Sequence, residues 1–478
     1  MPPAYKPPNG SAESDVTVPR PPDFFVYTGG IMSTALSGDG ADLLLRGGRI
    51  HTLDQGDTLT SALAVRDGAI VAVGPDAEAL PARETIELDG RTVVPGLNDA
   101  HLHAAWLGAR WPHLFFSDTP PDEQPSGRLV STAGERRATL RRAWRLLAEL
   151  GITSYTEPGI GPGEDDGETG CFGSDMLDAY VELHREGAQT SRVTLLRLFG
   201  TIDGESTLDD FERGLQTPPP ATDPRWLAIP GVKIFADGIP PLATAWTAEP
   251  YADGSTGHLL TRGGTDPLSA FQRMIELAAA RGLQIAVHAT GDRSIAEFLA
   301  VLERLDGTPA APGPHYVVHG DLATPEQIAR MRDVGAGFAV QPLIAAHTHS
   351  WAAVQLGEAR VAAAWPLAEM FGSGALTTLT SDAPIATPDW RPSLDASLRL
   401  VTAGGAVDDA ALRRALLRAM TVEPARQDGA AAWKGTLELG RVADLTVLDE
   451  DPLEPGRAFT SVTVERTIVD GRTVFARD

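Results

Sequence analysis

A chain of 478 residues with 42% hydrophobic content can bury a large core and more than one structural unit. Its net charge of −24 speaks against a nucleic-acid partner, because phosphate binding calls for a basic surface, and is read as solubility. A single cysteine, Cys171, excludes an internal disulfide framework and a cysteine-based zinc site and fits a reducing, cytoplasmic setting; no run of about 18 apolar residues is present to span a membrane.

Residues 1–40 are rich in proline and polar side chains and lack the apolar stretch of a signal peptide. They predict a disordered tail, with Met32 as a candidate true start. Residues 41–94 alternate short apolar runs with Asp-Gly turns at Asp67-Gly68 and Asp89-Gly90, the pattern of hairpins. The pattern returns in residues 427–478, with a strand near 440–449 and a hairpin at Asp470-Gly471. Two β-rich ends predict one small β-sandwich assembled from both termini. Residues 95–426 have a different texture. Helical spacing covers 137–150, 268–280 and 325–334, and strand candidates begin at Thr92 and recur at 151–157, 192–199, 231–236, 284–288, 316–319, 337–341 and 377–382. Eight strands interleaved with helices predict an α/β chain built on a (β/α)8 TIM barrel, with chemistry at the C-terminal strand ends.

His101-Leu102-His103 follows the first of these runs. Residues two apart in a strand point to one side, so both imidazoles can reach one ion. Downstream, Lys233, His288, His319 and Asp382 each end, or nearly end, an apolar run. Singly, such a histidine is ordinarily a satisfied core residue and such an aspartate a turn residue. Their joint occurrence in barrel order points to a site for divalent cations, Zn²⁺ foremost. Lys233 has a further claim. Only three of the 40 basic side chains are lysines (Lys6, Lys233 and Lys434), and Lys233 sits inside an apolar run. A buried amine loses its proton easily and can react with CO₂, and the resulting carbamate has two oxygens able to bridge two ions. His347 and His349 form a second His-x-His without a carboxylate cluster, so they read as pocket residues. With Trp106, Trp111, His258 and Arg293 they make the candidate substrate-binding set; Trp351 and Trp390 would extend an aromatic wall. Cys171 reads as a bystander in a polar, Gly-rich loop.

Residues 94–103, 232–238, 249–253, 288–293, 380–384 and 439–445, with the His319 strand, resemble the amidohydrolase superfamily. Within it the chain resembles amidohydrolase family 3, the group of N-substituted formamide deformylase-like metal-dependent hydrolases. The resemblance covers nearly everything from residue 41 onward. It implies that His101 and His103 hold the more buried of two ions with Asp382, that His288 and His319 hold the other, and that carboxylated Lys233 lies between them. Two positions depart from the family's habit: Val318 stands where an acidic residue often precedes the sixth-strand histidine, and Ala383 where an aromatic often follows the aspartate.

The expected reaction is metal-dependent cleavage of a non-peptide C–N bond in an amide, N-formyl or cyclic amide substrate. Hydroxide held between two cations would attack, and Asp382 would act as general base and then acid. The alternative is a lyase or isomerase that uses the same centre to stabilise an oxyanionic intermediate. Partners are expected to be a small-molecule substrate and, from the family's habit, a second copy in a homodimer.

Overall fold

Two Asp-Gly pairs fold as their conformational preferences dictate. In the computed structural model, which describes residues 40–477 apart from 118, 121, 122 and 306, Asp67-Gly68 and Asp470-Gly471 have positive φ at both positions (50° and 74°; 54° and 73°). This is the turn whose twist matches a two-residue hairpin. The first joins β2 (Leu59–Arg66) to β3 (Ala69–Val73) and the second joins β17 (Val464–Val469) to β18 (Arg472–Ala476), both antiparallel. Residues 1–39 of the predicted tail, Met32 among them, lie outside the described residues.

Asp89-Gly90 does something else. It links β4 (Ala82–Glu87) to β5 (Thr92–Pro95), and both run parallel to β1 (Ala41–His51) instead of pairing with each other. β1 is long enough, at 11 residues, to carry β4 along Ala41–Arg46 and β5 along Arg49–Ile50. The other side of β5 takes β16 (Leu445–Leu448), which continues to β17 and β18. Residues from both ends of the chain thus make one eight-stranded mixed sheet. Side chains of β1 are buried on both faces, Leu43, Leu45 and Ile50 in one apolar cluster and Ala41 and Leu44 in another.

The Thr92 run therefore belongs to the terminal sheet and not to the barrel, because its edges are taken by β1 and β16. The barrel begins two residues after β5, at β6 (Leu97–Asp99). It continues through β7 (Ile152–Ile160), β8 (Arg192–Leu198), β10 (Leu227–Phe235), β12 (Gln284–Ala289), β13 (Tyr316–His319), β14 (Gly337–Val340) and β15 (Leu376–Leu379), all parallel. The intervening β9 (Ser206–Thr207) and β11 (Thr261–Arg262) pair with each other outside the ring. Every residue of β7, β8, β12, β14 and β15 is buried, as parallel strands covered on both faces require. Capping boxes at Thr132, Asp266 and Thr324 start the helices Ala133–Glu149, Pro267–Ala279 and Pro325–Asp333, close to the spans predicted from spacing. No described helix is long and apolar enough to cross a membrane.

The ring is closed without a ladder between β15 and β6. Beyond the strand ends, the Asp382 amide donates to the His101 carbonyl (2.9 Å) and the His103 amide to the Ala383 carbonyl (2.8 Å). The Ser381 amide reaches Asp99 Oδ1 at 3.2 Å. The segments that clasp the barrel shut are those that carry the first two histidines and the aspartate.

Candidate metal centre

Six side chains from five strands meet in one nook at the C-terminal mouth: His101, His103, Lys233, His288, His319 and Asp382. β6 itself ends at Asp99, so His101 and His103 lie in the turn leading to the helix Ala104–Arg110. The alternation nevertheless persists, since Leu102 between them is fully buried in the apolar core. Lys233 stands in β10 with Leu198 and Ala286 as its neighbours across the sheet, and is 1% exposed. His288 lies in β12, His319 ends β13, and Asp382 follows β15 by three residues. Two of these positions, His319 and Asp382, have positive φ (75° and 57°), a conformation that L-residues adopt only when surroundings impose it.

Asp382 is the hub. Its Oδ1 lies 3.2 Å from His101 Nε2 and 3.4 Å from His103 Nε2. His101, His319 and Asp382 each offer a ligand atom within 4.8 Å of the others. The His288 and His319 rings are 4.5 Å apart between centroids. Outer contacts fix the rings: His319 Nδ1 pairs with Gln341 Oε1 at 2.7 Å, and His288 Nε2 with the Gly238 carbonyl at 3.1 Å. Gln341 is itself held, donating to Thr380 Oγ1 and the Ala339 carbonyl.

Charge in the nook follows from burial and neighbours. Burial disfavours the Asp382 carboxylate, but attraction and hydrogen bonding from His101 and His103 overcome it and hold the group well below its ordinary value. Burial, reinforced by Lys233, takes His101 down to about 3, and burial with His288 holds His319 well below its ordinary value. Burial brings Lys233 down to about 7. His103 is the exception: burial disfavours its cation, yet the neighbouring carboxylates of Asp382 and Glu157 raise it to about 9. The imidazoles of His101 and His319, which burial keeps neutral, beside the Asp382 carboxylate are a donor set that a divalent cation of the zinc type accepts. A buried polar atom without a hydrogen-bond partner supports the fit: His101 Nδ1.

Above the nook lies a cavity of about 320 Å³, a size that holds a small ligand. Phe116, Ile239, Leu242, Ile344 and Ile385 supply apolar wall, while Asp203, Asp237, Asp321 and Asp382 supply carboxylates. No arginine is among the described residues that line it. Of the candidate substrate-binding set, only Trp106 reaches the nook, its ring edge-on to His103 at 6.3 Å. Trp111, His258, Arg293, His347 and His349 do not line the cavity. Arg293 stacks on Trp246, His347 backs the cavity residue Phe116 at 4.9 Å, and His349 tilts against Trp365. Trp390 is packing, fully buried with its indole N–H on the Leu150 carbonyl, and Trp351 is 57% exposed. Cys171 is free and buried.

Several residues of the site escaped sequence reasoning. Glu157 ends the second barrel strand's predicted span and is wholly buried, its Oε1 3.4 Å from His103 Nδ1. Asp237, four residues after Lys233, receives the amides of Trp246, Thr290 and Gly291 and the Ser294 hydroxyl, so it ties together the loops after β10 and β12. The available signal was an acidic residue at, or just past, the end of a predicted barrel strand.

Residues 119–475 match the profile of the amidohydrolase family. The chain belongs to that family. Across 90% of its length it is 24% identical to the N-substituted formamide deformylase of Arthrobacter pascens, covering 97% of that protein. It is 26% identical to the amidohydrolase YtcJ of Bacillus subtilis over 255 residues, a match that spans 52% of this chain and about half (47%) of that relative. The crystal structure of an uncharacterized metal-dependent hydrolase from Pyrococcus furiosus superposes with a TM-score of 0.68 at 22% identity, over 86% of this chain and all of that one, and shares its fold. As an amidohydrolase the chain is an enzyme of the hydrolase class.

Proposed function

We propose that this amidohydrolase cleaves an amide, N-formyl or cyclic amide bond with two divalent cations, zinc foremost, in a cytoplasmic setting. The observation that carries this reading is the convergence of all six groups beneath a ligand-sized cavity. His101, His103 and Asp382 would hold one cation and His288 and His319 the other, with Lys233, carboxylated by CO₂, between them. When bound, the cations would acidify water and polarise a carbonyl oxygen. Asp382 takes the proton of the attacking water on its carboxylate and delivers it to the departing nitrogen. Lys233 contributes as the free amine, the form its burial favours: the amine attacks CO₂, a N–C bond forms and a proton leaves to solvent. Gln341 and the Gly238 carbonyl keep His319 and His288 turned to the centre. The apolar walls strip water from the substrate's hydrocarbon substituent.

Assay of the metal-loaded protein in ¹⁸O-water against N-acyl, N-formyl and cyclic amides tests this reading. The label is expected in the released acid; product without label would assign a lyase or isomerase instead.

Asp203 on the cavity wall would also sort substrates by charge, whereas burial raises Asp321 to about 7 and weakens its share. Among amides of one arylamine, the 4-aminobutanoyl and pentanoyl compounds are expected to exceed the glutaryl compound in kcat/KM by about tenfold, and added salt should narrow the gap. Equal rates, or a preference for the carboxylate, would remove Asp203 from substrate selection.

A further inference from the structure

Behind the nook runs a chain of buried hydrogen bonds with a fixed direction. The Trp144 indole N–H donates to the Tyr155 hydroxyl at 2.9 Å. The Tyr155 hydroxyl donates to Tyr180 at 3.2 Å, and the Tyr180 hydroxyl donates to Glu157 Oε2 at 2.8 Å. All four side chains are buried. An indole nitrogen can only donate, so Tyr155 accepts from it and turns its own proton to Tyr180, which turns its proton to Glu157. Burial, with the neighbouring carboxylate, pushes both phenols far above their ordinary value, so both protons stay in place. The Ala105 amide, two residues beyond His103, donates to the same Oε2 at 3.3 Å. One oxygen of Glu157 is thereby committed to the scaffold. The other, Oε1, has no hydrogen bond and faces His103 Nδ1.

We propose that Glu157, pinned through Oε2 by the Trp144–Tyr155–Tyr180 chain, is a positioning residue that holds Nδ1 of His103 and so turns Nε2 toward Asp382 and a cation between them. This rests on the proposed role of His103 as a ligand. The physical logic is that a carboxylate on the far nitrogen fixes the tautomer and ring orientation of a ligating histidine and strengthens it as a donor. A carboxylate that could itself swing would fix nothing, and the phenols remove that freedom. The chain uses groups that the C–N bond chemistry does not need, and it enters from the helices behind β7: Trp144 lies in Ala133–Glu149 and Tyr180 in Ser174–Arg185.

Titration of the chelator-stripped protein with Co²⁺ alone, read by visible absorption and by competition with a chelator of known affinity, tests the proposal. For Glu157→Gln the dissociation constant is expected to rise about 10- to 100-fold, with a shifted ligand-field band. Tyr180→Phe, which keeps the ring and removes only the donated proton, should shift both readouts the same way by less. Wild-type affinity and spectrum in a folded Glu157→Gln protein would overturn the proposal; if that variant does not fold, the same result in Tyr180→Phe would. Wild-type protein that takes up no Co²⁺ would instead sink the metal reading itself.

Discussion

The Asp382→Asn enzyme is expected to retain part of its metal and to lose about 10²- to 10⁴-fold in kcat, the range assigned to a positioned proton-transfer group. An amide is nearly isosteric with the carboxylate, so the backbone turn at this left-handed position should survive. Its oxygen can still accept from His101 Nε2, now at 3.2 Å from Oδ1. What it cannot do is take a proton from water and return it to nitrogen. The defect should therefore appear in kcat more than in KM, and should be larger for poor leaving amines than for good ones, since delivery to nitrogen matters most where the amine leaves badly. Steady-state rates on a series of anilides check this. Turnover at the wild-type level would remove Asp382 from proton transfer.

Lys233→Ala is expected to lose both metal and activity, with metal content measured after gel filtration falling at least about a hundredfold in affinity terms, beyond what loss of an outer-sphere partner produces. Formate or acetate should restore part of both, because a small carboxylate can occupy the space vacated by the buried side chain and supply two oxygens. Lys233→Arg separates chemistry from charge: guanidinium fills the site but does not give up its proton at neutral pH and so does not capture CO₂. It should behave like the alanine variant in metal content yet resist rescue, its bulk blocking the added anion. Growth of the wild type in ¹³C-bicarbonate followed by carbon NMR should show a carbamate signal that vanishes in both variants. Unchanged metal content in Lys233→Ala would take the residue out of the site.

Much of this could be read from sequence because each proposed ligand but Lys233, which lies inside its run, sits at or just past the point where a run of apolar residues stops. That is a one-dimensional trace of a strand end, and a parallel barrel turns every strand end toward one mouth. His288 and His319 needed nothing more. The Thr92 run misled for a definite reason: a single glycine, Gly96, separates β5 from β6, so two short strands in different sheets look like one. Asp89-Gly90 misled because a turn signal names a reversal or a kink but not the partner strand, and β1 supplied a partner for both flanks. The aromatic wall was the poorest reading. Tryptophans near strand ends serve packing as readily as binding, and Trp390 sends its only polar atom to the Leu150 carbonyl. Glu157 was missed because a single acidic residue closing a strand has no spacing partner. Its meaning lies in contacts with His103 and Tyr180 that are distant or diagonal in sequence.

The missing ladder between the first and last barrel strands would make a cation bound in the nook a rivet. With amide protons of His103 and Asp382 spanning the gap, occupancy of the nook and integrity of the cylinder would become one equilibrium. A cation bound only by the native state adds stability in proportion to the logarithm of its concentration over its dissociation constant. Chelation should thus loosen the molecule from its working end, and hydrogen exchange at those two amides should quicken before that of any other strand junction.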